Sequence, residues 1–233
     1  MVARKLKPSR TISPSRVAAQ CLSRVLETRD EITHGHAARV GALAARLAGL
    51  LGLPAKRCEA IGRAALMHDI GKLVIPLEII QRPFPLSQEE WGIIQTHSRH
   101  GYTILSGTGD PDLELAAEIA LHHHERLDGS GYPDGLKGHD ISLPNRITAI
   151  CDVYDALRQN RPYRSGMSHR DAMRVIFTGD HRTTPGQFDP DVLSAFQGIS
   201  GEVDAYYTAN ADEKLHGHAT MVAPLDRILK ASW

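Results

Sequence analysis

His36-Ala-Ala-Arg-Val-Gly-Ala-Leu-Ala-Ala-Arg-Leu-Ala-Gly-Leu-Leu51 is the stretch on which the fold turns. Val40, Leu43, Ala44, Leu47 and Leu50 recur every three or four residues, the period of one helix face, and Ala and Leu are strong helix formers. Gly52 and Pro54 bracket the turn that follows. Upstream, Ser13-Pro14 marks a helix start, with Val17, Cys21, Leu22, Val25 and Leu26 at helical spacing. Downstream, a third helix carries Ile61, Ala64, Ala65 and Leu66 into His68-Asp69.

Pro83 to Pro85 then break the chain, and Ser87 with Glu90 forms a capping box opening a helix to about Leu105. Pro111-Asp112 start another, which ends in the triple histidine 122–124. Asp128 to Gly138 is Gly-rich and reads as a loop. Pro144 opens a helix striped by Ile147, Ile150, Cys151, Tyr154 and Leu157; Ser168 and Asp189-Pro190 begin two shorter ones. Strand-like runs of Val, Ile and Thr are hard to find. The expectation is an all-α bundle with no substantial sheet: a basic flexible tail over 1–14, one domain over 15–199, and a poorly packed C-terminal extension over 200–233.

The 27 basic and 27 acidic residues cancel, which argues against a nucleic-acid polymer as partner. Arg4, Lys5, Lys7, Arg10 and Arg16 concentrate positive charge in the tail, where a solvated segment is the simplest reading. Cys21, Cys58 and Cys151 are isolated and read as small buried hydrophobes in a reducing compartment. The most apolar run, Val40 to Leu53, contains Arg46 and is too short for a bilayer. No apolar core follows the basic N-terminus. A cytoplasmic protein without membrane insertion is expected.

Thirteen histidines are present, and their placement carries more than their number. His36 stands at a helix start, His68-Asp69 at a helix end, and His97 late in another helix. His123 and His124 precede the Gly-rich loop, and Asp152 lies inside a helix. Imidazoles and carboxylates suit iron, manganese, zinc or nickel. Two such metals about 3.5–4 Å apart can activate a shared water and neutralise both oxygens of a phosphoryl displacement. Consecutive helical residues point about 100° apart, so at most two of His122, His123 and His124 can share a metal. The remaining histidines read as surface or hydrogen-bonded side chains, and Lys72 alone as a cation at a helix C-terminus.

Ala65-Leu-Met-His-Asp-Ile-Gly-Lys72 and His123-His-Glu-Arg-Leu-Asp-Gly-Ser-Gly-Tyr-Pro133 resemble the two signatures of the HD-GYP phosphodiesterases. Asp152-Val-Tyr-Asp-Ala-Leu157, Arg161-Pro-Tyr-Arg164 and Gln187-Phe-Asp-Pro190 are also similar, in order, over roughly residues 20–198. The resemblance implies an HD-domain fold, hydrolysis of cyclic di-GMP to pGpG or on to GMP, and a centre of iron or manganese. Its ligands would be His36, His68, Asp69, His97, His123, His124 and Asp152, with Asp69 bridging and serving catalysis beside Lys72. Lys72, Arg161 and Arg164 would meet the substrate's phosphates or guanine edges. Gly131, Tyr132 and Pro133 would form the loop for substrate access and for docking a GGDEF-domain protein. Where trinuclear members carry a glutamate ligand this chain has Ile32, so two metals are expected rather than three. Cleavage of cyclic GMP-AMP, a non-catalytic nucleotide receptor, and an HD-type mononucleotide hydrolase are the alternatives; a homodimer stays open.

Overall fold

The computed structural model describes residues 14–29, 35–82, 86–160 and 165–209, with some side chains of the first helix omitted. The tail before Pro14, Ile32, Arg161, Arg164 and residues 210–233 lie outside the described residues. Eleven α-helices are described: α1 (Pro14–Arg29), α2 (His36–Leu50), α3 (Ala55–Ala65), α4 (Leu77–Ile80), α5 (Gln88–Gln95), α6 (His97–Leu105), α7 (Pro111–His122), α8 (Leu143–Arg158), α9 (His169–Thr178), α10 (Pro190–Gly198) and α11 (Ser200–Ala209). No strand occurs among the described residues, and no helix among them is long and apolar enough to cross a membrane.

The apolar stripe of α2 does what its period dictates. Val40, Ala44, Leu47 and Ala48 are fully buried, and the helix packs against α3 on one side and α8 on the other. α7 lies against α3 and α6, so α2, α3, α7 and α8 enclose one core containing Ile61, Ile70, Ile119, Ile147 and Ile150. Full burial of each such side chain contributes about 1.5–3 kcal/mol. Helix starts are set locally. Ser87 and Glu90 form the reciprocal capping box on α5, and Asp110, Ser168 and Asp189 accept backbone N–H bonds at the starts of α7, α9 and α10.

Three expectations are corrected. The helix foreseen from Ser87 to Leu105 is two helices, because Thr96 Oγ1 and His97 Nδ1 donate to the Ile93 and Ile94 carbonyls and the Thr96 N–H tightens onto Ile93. His97 therefore begins α6 rather than lying late in a helix. Residues 200–209 are not poorly packed: α11 buries Val203 and Tyr207 in the core. Cys21 is exposed on α1, unlike the buried Cys58 and Cys151, because Leu22 and Leu26 form the face that packs inward.

Candidate metal centre

The predicted site residues arrive from five different segments. α2 presents His36 at its first turn, the turn after α3 presents His68 and Asp69, and α6 begins with His97. His123 and His124 follow the end of α7, and Asp152 projects from the middle of α8. Their inward atoms converge in two lobes that share Asp69.

In the first lobe, His36 Nε2 lies 3.2 Å from His68 Nε2 and 3.4 Å from Asp152 Oδ1. Asp69 Oδ2 is 3.4 Å from His68 Nε2 and 3.8 Å from His36 Nε2. In the second, Asp69 Oδ1 is 3.4 Å from His97 Nε2 and 3.8 Å from His123 Nε2, and those two nitrogens are 3.4 Å apart. His124 completes this lobe, whose four donor atoms lie within 4.8 Å of one another. His122, the last residue of α7, points elsewhere, to Asp134 Oδ2 at 3.0 Å, while the turn that follows brings His123 and His124 into the same lobe, so two of the three histidines share it.

The inward nitrogens of His36, His68, His97 and His123 are prepared by the opposite sides of their rings. His68 Nδ1–H donates to the Ala65 carbonyl (2.8 Å), His97 to Ile94 (2.6 Å) and His123 to Ile119 (3.0 Å), while His36 Nδ1 donates to Asp155 Oδ2 (2.7 Å). In a neutral ring the proton held on Nδ1 leaves Nε2 as a lone pair. Burial pushes His97, His123 and His124 below the ordinary imidazole value, so they are neutral. His36 differs: burial pulls it down, but hydrogen bonds to Asp152 and Asp155 prevail and lift it to about 9. Burial would raise Asp69 and Asp152, yet Lys72 and the histidines around Asp69, and His36 and His68 around Asp152, hold both carboxyls well below their usual range.

Asp69 Oδ1 is buried and has no hydrogen-bond partner. Leaving such an oxygen unsatisfied costs about 1–3 kcal/mol or more for a charged group. Facing it are imidazole nitrogens whose protons are committed elsewhere, a donor set that fits a cation and little else. The residues present can therefore hold metal.

Lys72, in the turn Ile70–Val74, donates from Nζ to Asp69 Oδ2 at 2.5 Å and stays 25% exposed. The Tyr132 ring lies over His124 at 4.6 Å between centroids, with Trp91 edge-on to it at 6.4 Å. Gly131 sits where a Cβ would come within 2.4–2.5 Å of the backbone of His124, Glu125 and Arg126, so only glycine lets the loop approach this closely. Pro133 follows a cis peptide bond.

Sequence reasoning missed the groups behind the site. Asp155 is fully buried and binds His36, Arg39 and Tyr207. Glu125 is buried with its carboxylate spent on the Asp134 and Leu136 backbone N–H groups. Asp155 was visible three residues after Asp152, but nothing local shows that α2 and α11 converge on it.

Residues 20–192 match the HD domain family. A cyclic di-GMP phosphodiesterase of Thermotoga maritima is 39% identical over 194 residues, covering 83% of this chain and 52% of that protein. A 3'3'-cGAMP-specific phosphodiesterase of Vibrio cholerae is 40% identical over 176 residues, covering 75% and 39%. The chain thus spans about half the length, or less, of these curated relatives. Among solved structures, an HDG"Y"P protein of Bdellovibrio bacteriovorus superposes with a TM-score of 0.57 at 23% identity, covering 78% of this chain and 57% of that one; this likeness bears on the fold.

Proposed function

Because this chain belongs to the HD domain family, we propose that its two-lobed cluster holds two divalent metal ions, iron or manganese, and hydrolyses cyclic di-GMP to pGpG. His36, His68, Asp69 and Asp152 would hold one ion, and Asp69, His97, His123 and His124 the other. One observation carries the reading: imidazoles with their Nδ1 protons committed outward turn their Nε2 atoms toward a carboxylate whose inner oxygen has no donor. Ions bound there would supply positive charge to a phosphodiester and lower the pKa of water to near neutrality.

The chain's own groups do the rest. Asp155 and the Ala65, Ile94 and Ile119 carbonyls fix the imidazole tautomers. Lys72 orients Asp69 and, being partly exposed, is available to donate to a phosphate oxygen as charge builds there. Arg161 and Arg164 are proposed contacts to phosphate or guanine, for which their planar forks are suited. Gly131, Tyr132 and Pro133 wall the second lobe; a GGDEF-domain protein is the partner proposed for that loop. Ile32 offers no ligand atom, which favours two ions over three and pGpG over GMP as product. The unpaired Cys58 and Cys151 suit a reducing cytoplasm, and residues 15–199, with α11 packed on them, are the proposed catalytic unit.

A second reading is favoured by the Vibrio relative, named for 3'3'-cGAMP and as similar as the Thermotoga protein. Anaerobically purified protein supplied with iron or manganese is to be given both cyclic dinucleotides, with products separated chromatographically. Formation of pGpG establishes the first reading, and turnover of cyclic GMP-AMP alone the second. Binding without turnover of either leaves a receptor.

A further inference from the structure

Four hydrogen bonds end on the Asp155 carboxylate, which is completely buried. Oδ2 accepts from His36 Nδ1 (2.7 Å) and Arg39 Nη2 (3.0 Å); Oδ1 accepts from Arg39 Nε (2.6 Å) and the Tyr207 hydroxyl (2.6 Å). α2 supplies the first three of these bonds. The fourth comes from α11, beyond the residues 20–192 that match the family. We propose that Tyr207 is a positioning residue of the metal centre: its hydroxyl fixes Asp155, and Asp155 holds His36 in the tautomer and orientation that aim Nε2 into the first lobe.

A buried tyrosine in a core needs only its ring, so the hydroxyl is what requires an account. The ring itself is firmly held. The guanidinium groups of Arg39 and Arg158 lie 5.9 and 5.3 Å from its centroid, and it meets Tyr154 edge-on at 5.1 Å. Arg158 in turn donates to the Tyr154 hydroxyl (2.6 Å) and to Asp204 on α11 (3.1 Å). Burial and the adjacent Asp155 charge push the Tyr207 phenol well above its ordinary value, so it remains a donor. Arg39 contacts both carboxylate oxygens from one direction; a donor from a different helix opposes rotation of the group about its Cβ–Cγ bond. α11 is thereby joined to the first lobe by one uninterrupted path, Tyr207 to Asp155 to His36.

The inference rests on the metal-binding reading and is tested with the full chain by titrating Mn2+ calorimetrically into the wild type, Tyr207→Phe and Asp204→Asn. Tyr207→Phe keeps the ring and deletes the hydroxyl. Asp204→Asn, on the same helix as Tyr207, removes the charge that pairs with Arg158 of α8 without touching Asp155. Tyr207→Phe is expected to weaken one of two Mn2+ binding events by about tenfold, the lower end of the range for losing a group bonded directly to a ligand, since Asp155 keeps its bonds to His36 and Arg39. The second event should be unchanged, and Asp204→Asn should alter neither. Two outcomes overturn the proposal: both events unchanged in Tyr207→Phe, or both variants weakening both events in step with a falling unfolding midpoint. No Mn2+ binding by the wild type would instead overturn the metal reading, and this inference with it.

Discussion

Gly71→Ala should damage the centre without replacing any group in it. Gly71 lies between Asp69 and Lys72, with the start of α6 across from it. A Cβ built there falls 1.9 Å from the His97 carbonyl oxygen, 2.5 Å from the Gly101 nitrogen and 2.8 Å from the His97 carbonyl carbon. All three are backbone atoms, so no side chain can swing aside. Real Cβ contacts essentially never fall under 3.0 Å, so the turn and α6 must separate by about 1.1 Å at His97, the difference between 3.0 and 1.9 Å. Overpacking of this kind costs about 1–3 kcal/mol. At roughly 2–4 °C per kcal/mol for a domain of this size, the unfolding midpoint should drop by about 2–12 °C. His97 Nε2 starts 3.4 Å from Asp69 Oδ1, and a misplacement of about 1 Å can cost on the order of 100-fold in rate. Thermal unfolding and cyclic di-GMP turnover are measured together, with Gly92→Ala as control, since nothing lies within 4 Å of a Cβ there. If Gly71→Ala keeps the wild-type midpoint and rate, the close approach of turn and helix is not what sets His97.

Asp69→Ala, which removes the carboxylate common to both lobes, should abolish turnover and lower the content of both metals; full activity in that variant would refute the assignment. Lys72→Ala should keep its metal content by elemental analysis while kcat falls about 10²–10³-fold, the cost of one charge-stabilising donor; unaltered kcat would take Lys72 out of the mechanism. His36 is lifted from 6.5 to about 9, so its protonation stabilises the metal-free fold fully below pH 6.5, and that contribution is lost as pH rises through 9. Binding at this lobe must expel the same proton, so apparent Mn2+ affinity should tighten between pH 6.5 and 9 and level off above. A flat profile over that interval would show that His36 carries no proton to displace.

Much of the fold was legible because its signals are local. The α2 stripe, the Ser87–Glu90 box and the prolines at the starts of α7 and α8 each act within a turn or two of chain. α11 was not, since Ser200–Ala209 buries just Val203 and Tyr207, one i, i+4 pair, and two positions make no readable period. The break at Thr96 depends on side chains capturing carbonyls one turn back, which apolar spacing does not register. At the site, residues within motifs were found by resemblance. Of their supports, Asp155 depends on contacts with α2 and α11, far away in sequence, while the Glu125 bonds span only one loop but depend on how that loop folds back, which composition does not register.

Glu125 has a consequence of its own. Its two oxygens are bonded to the Asp134 and Leu136 amides at 2.7 and 3.0 Å, and the residue directly follows His124 in the chain. The carboxylate acts as a rivet between the far side of the loop and the imidazole pair. Such a loop is a stiff handle rather than a hinged flap: force applied at Tyr132 or Pro133 is delivered to His123 and His124 with little slack. Any protein that grips the loop therefore grips the second lobe as well.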